Sequence, residues 1–367
     1  MRLLLLNWRD IRNPRGGGAE RVTHEVARRL VLDGAEVTWL SSAAPGLPPE
    51  EVLDGIRIVR RGNEVTTRFA APALARKVRP TIVLEEINTL PYLAPLWARV
   101  PVLLYMNQLA RDVWWHEARL PISAIGWLAE PGYLRAYRSC DAVTISLSTL
   151  ADLRDIGLRG TITIAPMAVE AEQARPRPHK SLSGRLVAIG RLTPSKRYDH
   201  AIEALHTLRA RMPEANLTLV GDGRDADRLR RHAEELGDAS ALRITGRVSE
   251  QDKIEILDQS DILIGTSVRE GWGLTITEAA ARGAPAVVYD IPGFRDAVVP
   301  GRTGLLVQPR PQALADALER LLRDPGQYGR LAQAAWESAK SLSYDATAHA
   351  FAAALGRAAA ENLTEQG

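Results

Sequence analysis

The sequence has one cysteine and no long apolar segment, and each scarcity excludes a class of protein. Cys140 by itself cannot form an internal disulfide, which fits a reducing compartment. The longest apolar runs, such as residues 3–6 and 103–106, are far shorter than the roughly 20 residues that a membrane-spanning helix needs. Charged residues follow the apolar start from position 9, so we interpret it as a first β-strand and not as a signal peptide.

The chain also lacks a strong excess of one charge. It has 47 Lys and Arg against 44 Asp and Glu, a net charge of +3, and the basic residues are scattered. We therefore expect no nucleic-acid partner, despite a pI near 9.1. A hydrophobic content of 46% and 25% charged residues are ordinary for a globular protein. A length of 367 residues suits two domains of moderate size, and we expect a cytoplasmic location.

Short apolar runs alternate with helical patterns along both halves of the chain. The predicted strands are residues 3–6, 37–40, 56–59, 81–84, 102–104, 142–145 and 161–165, then 186–189, 217–220, 242–245, 262–265, 286–289 and 304–307. This alternation predicts an α/β fold with parallel sheets covered by helices. Residues 174–183 contain prolines and charges without apolar periodicity, and they are the predicted linker.

The most informative segment is residues 270–278, Glu-Gly-Trp-Gly-Leu-Thr-Ile-Thr-Glu. Residues 261–266 before it predict a buried strand, and the Ala-rich residues 275–282 predict a short helix. Glu270 and Glu278 therefore flank a glycine-rich turn between a strand and a helix. Amides at such a turn suit anions, and carboxylates accept hydrogen bonds from hydroxyls, which fits a nucleotide sugar. The alternative is two ordinary acids near a helix start.

A second motif lies about 80 residues upstream, at Gly190-Arg191-Leu192-Thr-Pro-Ser-Lys196. It follows the strand predicted at 186–189, and ligands of open α/β sheets bind at the carboxyl ends of strands. Arg191 and Lys196 would there neutralise a diphosphate, unless they are ordinary solvated cations. Lysine is scarce in this chain, since it occurs only at positions 77, 180, 196, 253 and 340. A lysine kept where arginine is the default indicates that an ammonium is needed.

Together, the two motifs resemble those of the retaining glycosyltransferases of family 4, which have the GT-B fold. Both the Gly-Arg-Leu…Lys segment and Glu-x7-Glu are complete here and in the family's order. The resemblance implies two Rossmann-like domains whose parallel sheets face each other across a cleft. It places an acceptor-side domain at 1–173, a nucleotide-sugar domain at 184–343, and a C-terminal segment at 344–367 whose helix packs back on the first domain.

The resemblance also implies roles for individual residues. Arg191 and Lys196 would bind the diphosphate, Glu270 the sugar hydroxyls and Glu278 the ribose. Further donor-binding positions would be Gly190, Gly271, Trp272, Gly273, Leu274, Thr275 and, near the base, Val248. Protein cations would take the place of a divalent metal, so the resemblance implies neither a metal nor another cofactor.

A glycine turn in the first half carries a weaker phosphate motif. Residues 15–20, Arg-Gly-Gly-Gly-Ala-Glu, follow the first strand and open a helix that is predicted to run through Leu32. A glycine run of this kind is also common in flexible turns. It resembles the Gly-Gly-Ala-Glu segment of family 4, which implies that Gly17 and Gly18 face the diphosphate.

The chain departs from the family pattern after the strand predicted at 102–104. Family members usually carry a histidine there, and Asn107 occupies its position. Asparagine is no general base, but a retaining front-face reaction needs none from the protein, because the acceptor proton can pass to the leaving phosphate. Asn107 would then position the acceptor. His116 is an alternative candidate, although we favour its interpretation as an ordinary half-exposed histidine.

Half of the tryptophans lie between residues 92 and 137. The adjacent pair Trp114 and Trp115 cannot both be buried on one face of an element, so we expect at least one to stack on an acceptor sugar. Core packing is the alternative for the others. Aromatic rings with nearby arginines also suit a membrane interface, and we expect peripheral contact with the inner face of a membrane.

The expected reaction is transfer of a hexose from a UDP- or GDP-sugar to a hydroxyl acceptor such as a saccharide or a lipid-linked saccharide. Two alternatives stay open at this point. One is a catalytically silent subunit that binds a nucleotide sugar, which Asn107 permits. The other is a GT-B enzyme that is not a transferase, such as a nucleotide-sugar epimerase, against which Glu-x7-Glu argues.

Overall fold

The computed structural model describes residues 1–165, 167–169 and 182–364. The chain forms two compact units. The first comprises Met1–Arg111, Ile125–Ala168 and Ser343–Gly367, and the second comprises Asp112–Ala124 and Val169–Leu342. All but the last two residues of the predicted linker 174–183 lie outside the described residues.

Strands and helices alternate along the described part of the chain. The strands are β1 Arg2–Leu6, β2 Glu36–Ser41, β3 Glu50–Leu53, β4 Ile56–Arg60, β5 Ile82–Glu86, β6 Val102–Met106, β7 Ala142–Thr144, β8 Ile162–Ile164, β9 Arg185–Ile189, β10 Asn216–Val220, β11 Leu242–Ile244, β12 Ile262–Gly265, β13 Ala286–Tyr289 and β14 Gly304–Val307. The helices are α1 Gly18–Leu32, α2 Thr67–Val78, α3 Val113–Glu117, α4 Ile122–Leu134, α5 Leu147–Ile156, α6 Tyr198–Arg209, α7 Ala226–Glu235, α8 Glu250–Gln259, α9 Leu274–Ala281, α10 Phe294–Ala297, α11 Pro311–Arg323, α12 Pro325–Lys340 and α13 Tyr344–Thr364.

Each unit is built on one sheet. In the first unit the strand order is β3-β4-β2-β1-β5-β6-β7-β8, and every neighbouring pair is parallel except β3 with β4. In the second unit the order is β11-β10-β9-β12-β13-β14, and all pairs are parallel. The prediction of an α/β fold with two parallel-sheet domains is therefore confirmed.

The order of the strands positions the candidate residues. In the second unit the chain leaves β9 to one side through β10 and to the other through β12, so β9 and β12 are neighbours at the point where the order reverses. Ligands of such sheets bind at the carboxyl ends of the strands beside this point. The Gly190 motif follows β9 and the Glu270 motif follows β12, so pairing of the two strands brings the motifs together.

The sequence analysis missed β3 and ended β5 too early. Strand β3, Glu50–Leu53, is polar and forms the antiparallel edge of the sheet, so it has no apolar run to reveal it. Strand β5 continues through Glu85 and Glu86, which are both buried. The carboxylate of Glu85 accepts hydrogen bonds from the Tyr137 hydroxyl (2.6 Å) and the Ala94 amide (2.9 Å). These partners allow acids to stand inside a buried strand.

The C-terminal helix α13 belongs to the first unit. The Phe351 ring packs edge-on against Tyr105 of β6, with the ring centroids 4.8 Å apart. Arg29 of α1 forms an ion pair with Asp345 at 2.6 Å. Helix α13 therefore completes the hydrophobic cover of the first sheet although it follows the second unit in sequence.

Candidate functional site

The loop after β9 is shaped by Gly190, whose φ is +152°. A Cβ at this position would lie 2.8 Å from the Tyr198 hydroxyl and 3.6 Å from Cε of Lys196. Glycine therefore leaves the space that the lysine side chain occupies. The loop is fixed to the next strands, because the Leu192 amide donates to the Asp222 carbonyl (2.9 Å) and the Thr266 hydroxyl donates to the Lys196 carbonyl (2.7 Å).

Lys196 and Glu270 form an ion pair, which joins the two sequence motifs directly. The same Glu270 oxygen accepts a hydrogen bond from the Ser267 hydroxyl at 2.6 Å. The lysine side chain is 23% exposed and the glutamate 17%, so the pair is shielded but open to a ligand. Arg191 is exposed, and its guanidinium forms no ion pair with any residue in the described part of the chain. A positive charge is therefore available beside a carboxylate.

The turn after Glu270 depends on Gly273, which has a φ of +90°. A Cβ there would lie 2.9 Å from both Ile276 and Phe294. Helix α9 begins at the next residue, so Leu274 and Thr275 stand in its first turn, where amides have no partner within the helix. Gly271 and Gly273 are buried, and Leu274 and Thr275 are half-buried; that this turn binds a donor stays a prediction.

The side chain of Trp272 makes its contacts within the second unit. Its indole N–H donates to the Thr277 hydroxyl at 2.9 Å. The ring lines a cavity of about 90 Å³ together with residues of α12 such as Ala335 and Ala339. Only the backbone of Trp272 therefore joins the turn beside Glu270.

Glu278 has a partner that the sequence analysis missed. The Lys253 ammonium on α8 lies 2.7 Å from Glu278 Oε1 and 2.9 Å from Glu250 Oε2. Each carboxylate of the Glu-x7-Glu motif is thus paired with one of the five lysines. The scarcity of lysine, which drew attention to Lys196, would have indicated Lys253 by the same argument.

Val248 lines a cavity of about 450 Å³ between β11 and α8. Asp252 of α8 also lines it and is the residue next to Lys253. A nearby backbone contact holds this end of the sheet, because the Gly221 amide donates to the Gly246 carbonyl at 3.0 Å. The cavity therefore lies beside α8, the helix that also carries Lys253, the partner of Glu278.

Helix α3 carries Trp114, Trp115 and His116 and belongs to the second unit, whereas the sequence analysis assigned it to the first domain. Its last residue, Glu117, accepts a hydrogen bond from Ser195, next to Lys196. This contact, and not the position of the segment in the sequence, places α3 in the second unit.

Arg224 strengthens this attachment. Its guanidinium donates to the carbonyls of His116 (3.2 Å) and Glu117 (3.0 Å) and lies 3.2 Å from the Glu117 carboxylate. Burial raises the pKa of Glu117, but the bonds from Ser195 and Thr193 and the nearby arginines outweigh it and hold the pKa below its usual range. The Trp115 ring is 49% exposed. Helix α3, which carries the tryptophan pair, is therefore attached to the loop that carries Lys196.

In the first unit, the glycine turn leads into a buried acid. Helix α1 begins at Gly18, and the Gly17 amide donates to Glu20 Oε2 at 2.7 Å. The other Glu20 oxygen lies 2.7 Å from the Arg9 guanidinium. Gly17 and Gly18 are exposed while Glu20 is buried. The turn is therefore rigid and presents its backbone outward.

Asn107 is held by a second buried acid, Glu86. The Asn107 amide group donates to Glu86 Oε1 at 2.9 Å, and Asn7 and Thr23 donate to Oε2, each at 2.8 Å. Asn7 also accepts from Asn88, which extends the network toward Glu20. The side-chain oxygen of Asn107 is buried and has no hydrogen-bond partner among the described residues.

Burial, and after it the charge of Glu20, raise the pKa of Glu86 to about 8, against the lowering effect of the Thr23 hydrogen bond. The sequence analysis missed Glu86 because it ended the strand at residue 84. The signal that could have identified Glu86 is an acid at the end of a buried strand, close in space to a predicted site.

One Asp-x-Asp sequence occurs, at Asp225-Ala226-Asp227. Asp225 pairs with Arg228 and Asp227 with Arg230, both at 2.8 Å. In the described part of the chain, no group of three or more His, Cys, Asp and Glu side chains could hold a metal ion. The sequence prediction of a metal-independent reaction stays a prediction.

Comparison with protein-family models gives two matches that together cover most of the chain. Residues 16–173 match the model described as Glycosyltransferase Family 4. Residues 170–338 match the model described as Glycosyl transferases group 1. Both halves of the chain, with the Gly17 turn in one and the two carboxylates in the other, lie inside these matches.

Among characterised proteins, the chain is similar to the glycogen synthase of Mycobacterium tuberculosis, with 27% identity over 91% of this chain and 89% of that protein. It is equally similar, at 27% identity over 85% of this chain and 87% of the other, to the GDP-mannose-dependent alpha-(1-6)-phosphatidylinositol monomannoside mannosyltransferase of the same species. A D-inositol 3-phosphate glycosyltransferase of Corynebacterium glutamicum is 35% identical over 44% of this chain and 40% of its own length.

Solved structures share the fold at lower identity. Sucrose-phosphate synthase from Thermosynechococcus elongatus superimposes with a TM-score of 0.78 at 19% identity, covering 96% of this chain and 97% of that one. Anabaena Alr3699/HepE in complex with UDP-glucose superimposes with a TM-score of 0.74 at 18% identity, covering 100% of both chains. No helix in the described residues is long and apolar enough to cross a membrane.

Proposed function

The chain belongs to glycosyltransferase family 4, and from that premise we propose that it is a retaining, metal-independent hexosyltransferase. The donor is a UDP- or GDP-sugar, and the acceptor is a hydroxyl of a saccharide or a lipid-linked saccharide. Support for the donor comes from the relatives, one of which is named as GDP-mannose-dependent, and from a fold neighbour that holds UDP-glucose.

The observation that carries the proposal is the ion pair between Lys196 and Glu270 beside the exposed Arg191. Transfer requires that negative charge on the departing diphosphate be stabilised while the sugar hydroxyls are held. An ammonium, a guanidinium and the first-turn amides of α9 provide the charge, and a carboxylate next to them provides hydroxyl acceptors. Few ligands other than a nucleotide sugar need both cationic groups and a hydroxyl-binding carboxylate from the two loops after β9 and β12.

In the proposed reaction, the bond from the anomeric carbon to the diphosphate oxygen breaks and a bond to the acceptor oxygen forms on the same face of the sugar. The acceptor proton passes to the leaving phosphate oxygen, so no protein base is required. Asn107 positions the acceptor, and Glu86 fixes the asparagine amide. Trp115 offers an exposed ring on which an acceptor sugar stacks.

The acceptor and the location form part of the same proposal. A relative whose name includes phosphatidylinositol monomannoside supports a lipid-linked acceptor, while glycogen synthase supports a saccharide. With a lipid-linked acceptor, the enzyme would work in the cytoplasm in peripheral contact with the inner face of the membrane.

The test is transfer from radiolabelled UDP-glucose and GDP-mannose to a panel of saccharide and lipid-linked acceptors. Lys196→Met and Arg191→Met should each cost about 2–4 kcal/mol of transition-state stabilisation, as the loss of a donor to a developing oxyanion does. Lys77→Met, on the exposed side of α2, removes the same charge elsewhere and should leave the rate unchanged. The product linkage, determined by NMR, should keep the anomeric configuration of the donor.

Three results would contradict the proposal. Donor binding without transfer to any acceptor would indicate a binding subunit. Inversion at the anomeric carbon would exclude the retaining mechanism. Loss of activity on chelation, with recovery on adding magnesium or manganese, would show that the protein cations do not suffice.

A further inference from the structure

The carboxylate of Glu117, the last residue of α3, lies among groups that bind anions. The Ser195 hydroxyl donates to it, and the Thr193 hydroxyl lies 3.2 Å from that of Ser195. The Arg224 guanidinium is 3.2 Å from the carboxylate, and the charge of Arg191 also acts on it. Burial raises the pKa of Glu117, but these four groups together hold it below its usual range. The carboxyl is therefore ionised, and it is the anion of this site.

The groups around this carboxylate are held in place by the second unit itself. The loop after β9 is tied to the loop after β12, because the Val268 amide donates to the Ser195 carbonyl at 2.8 Å. The loop after β10 approaches it closely at Gly223, where a Cβ would lie 2.2 Å from the Leu192 carbonyl oxygen. Only glycine permits this approach, which brings Arg224 and Ser195 to the same carboxylate. The geometry of the anion site therefore does not depend on α3.

Helix α3 has features that make it easy to displace. It has five residues, fewer than the roughly 12 that an isolated helix needs to be even marginally stable. The side chain of its N-cap residue, Asp112, forms no capping hydrogen bond. The indole N–H of Trp114 is buried without a hydrogen-bond partner among the described residues, and an unpaired buried donor is destabilising. Displacement of the helix would expose that donor to water, which offsets part of the loss of the Glu117 contacts.

We propose that Glu117 is an internal substitute for a phosphate of the donor and that α3 is an autoinhibitory latch. Carboxylate and phosphate oxygens accept the same kinds of hydrogen bond, and arginine binds both. The diphosphate of the nucleotide sugar therefore competes with Glu117 for Thr193, Ser195 and Arg224, and its binding releases α3. These three residues then belong to the donor site. The latch rests on the proposed function, because the diphosphate must bind at the loop after β9.

The experiment is calorimetric titration of the whole protein with pyrophosphate, UDP and GDP. Glu117→Gln keeps the size of the side chain and removes its charge, and Glu117→Ala removes the side chain beyond Cβ. Each variant should bind pyrophosphate about tenfold more tightly than wild type, because a site that is closed in about nine of ten molecules loses that factor of affinity. In the Glu117→Gln background, Arg224→Gln should weaken binding about tenfold, since the guanidinium then bonds only to the ligand.

A second measurement follows α3 directly. Hydrogen exchange of a peptide that contains residues 112–121, measured by mass spectrometry, reports whether the helix is attached. Saturating pyrophosphate should speed this exchange in wild type, whereas Glu117→Gln should exchange fast with or without ligand. Glu235→Gln is the matched control, because it removes a carboxylate that is 75% exposed on α7 and should alter neither affinity nor exchange. The thermal midpoint of each variant shows whether it folds.

The outcomes are distinct. Tighter binding by both Glu117 variants, together with faster exchange of α3 in wild type on adding pyrophosphate, supports the proposal. Equal or weaker binding by folded Glu117 variants, or exchange that the ligand slows or leaves unchanged, overturns it and makes Glu117 a structural contact only. If wild type binds UDP or GDP in that case, the latch fails and the proposed function stands. Absence of binding of every diphosphate by wild type and variants alike overturns both.

Discussion

The ion pair between Lys253 and Glu278 gives the sharpest test of the donor site. If Glu278 holds the ribose, its carboxylate must keep acceptor positions for two hydroxyls. A carboxylate offers about four lone-pair positions, and Lys253 takes one of them on Oε1. The lysine therefore fixes the orientation of the carboxylate and offsets its charge. We expect Lys253→Met to weaken binding of UDP or GDP.

The size of the effect follows from the geometry. The two charged atoms are 2.7 Å apart, and the side chains are 14% and 15% exposed, so solvent screens the pair little. A hydrogen bond to a charged group contributes about 1.5–3 kcal/mol. The pair exists in the free protein, so only the difference between free and bound states alters affinity. About 1 kcal/mol, or about a fivefold rise in Kd, is the expected result. The bond to Glu250, whose side chain is 48% exposed, adds little.

Calorimetric titration of four proteins measures this: wild type, Lys253→Met, Glu278→Gln and the double variant. Each is titrated with the nucleoside diphosphate and with its 2′-deoxy analogue. Wild type should prefer the ribose form, and both single variants should lose much of that preference. The double variant should bind no more weakly than Glu278→Gln, because the lysine acts through the glutamate. Lys77→Met is the charge control.

A particular pattern would refute the reasoning. If the effects of the two substitutions add, or if Lys253→Met weakens ribose and deoxyribose forms equally, the lysine contacts the ligand directly or acts on the fold. Tighter binding by Lys253→Met would mean that the lysine competes with the ribose for Glu278. Lys253→Arg should retain part of the wild-type affinity. A guanidinium can donate the same hydrogen bond, but it is planar and does not place its charge at the same point as the ammonium.

Two further predictions concern the first unit and the acceptor side. Burial raises the pKa of Glu86 from 4.5 to about 8, so the native state favours the neutral acid. The free energy of unfolding of wild type relative to Glu86→Gln should therefore be greatest below a pH of about 4.5. It should fall as the pH rises from about 4.5 to about 8. Thermal melts over a pH series check this, and a difference that stays flat or rises with pH would contradict it. Trp115→Ala should raise the acceptor KM about tenfold to a hundredfold, as loss of one stacking ring does, whereas Asn107→Ala should lower kcat and leave donor binding unchanged. Asn107→His should be tolerated within a modest factor, and steady-state kinetics with fixed donor decide whether KM and kcat separate in this way.

The sequence by itself determined the class of the fold and the donor motifs. Apolar runs of four or five residues mark strands buried on both faces, since such strands need no polar alternation. The same local rules placed Gly190 and Gly273 at turns, and their positive φ values follow from the absence of a Cβ. Lys196 and Glu270 were predicted by residue type and by position after two strands, which is where parallel sheets place ligands.

Only the tertiary structure decided which residues support these groups. Lys253 and Glu278 are 25 positions apart on different helices, and Asn107 follows β6, the neighbour of the strand that ends at Glu86, so no local pattern connects them. Helix α3 is attached to the second unit by contacts distant in sequence, because Glu117 accepts from Ser195, 78 residues away, and Arg224 donates to the carbonyls of His116 and Glu117. The exposure of Ile125 and Leu128 on α4 could likewise not be predicted, because an apolar helix predicts burial and only packing decides which of its sides is covered. Sequence patterns report what each segment can bury, whereas long-range contacts decide what it does bury.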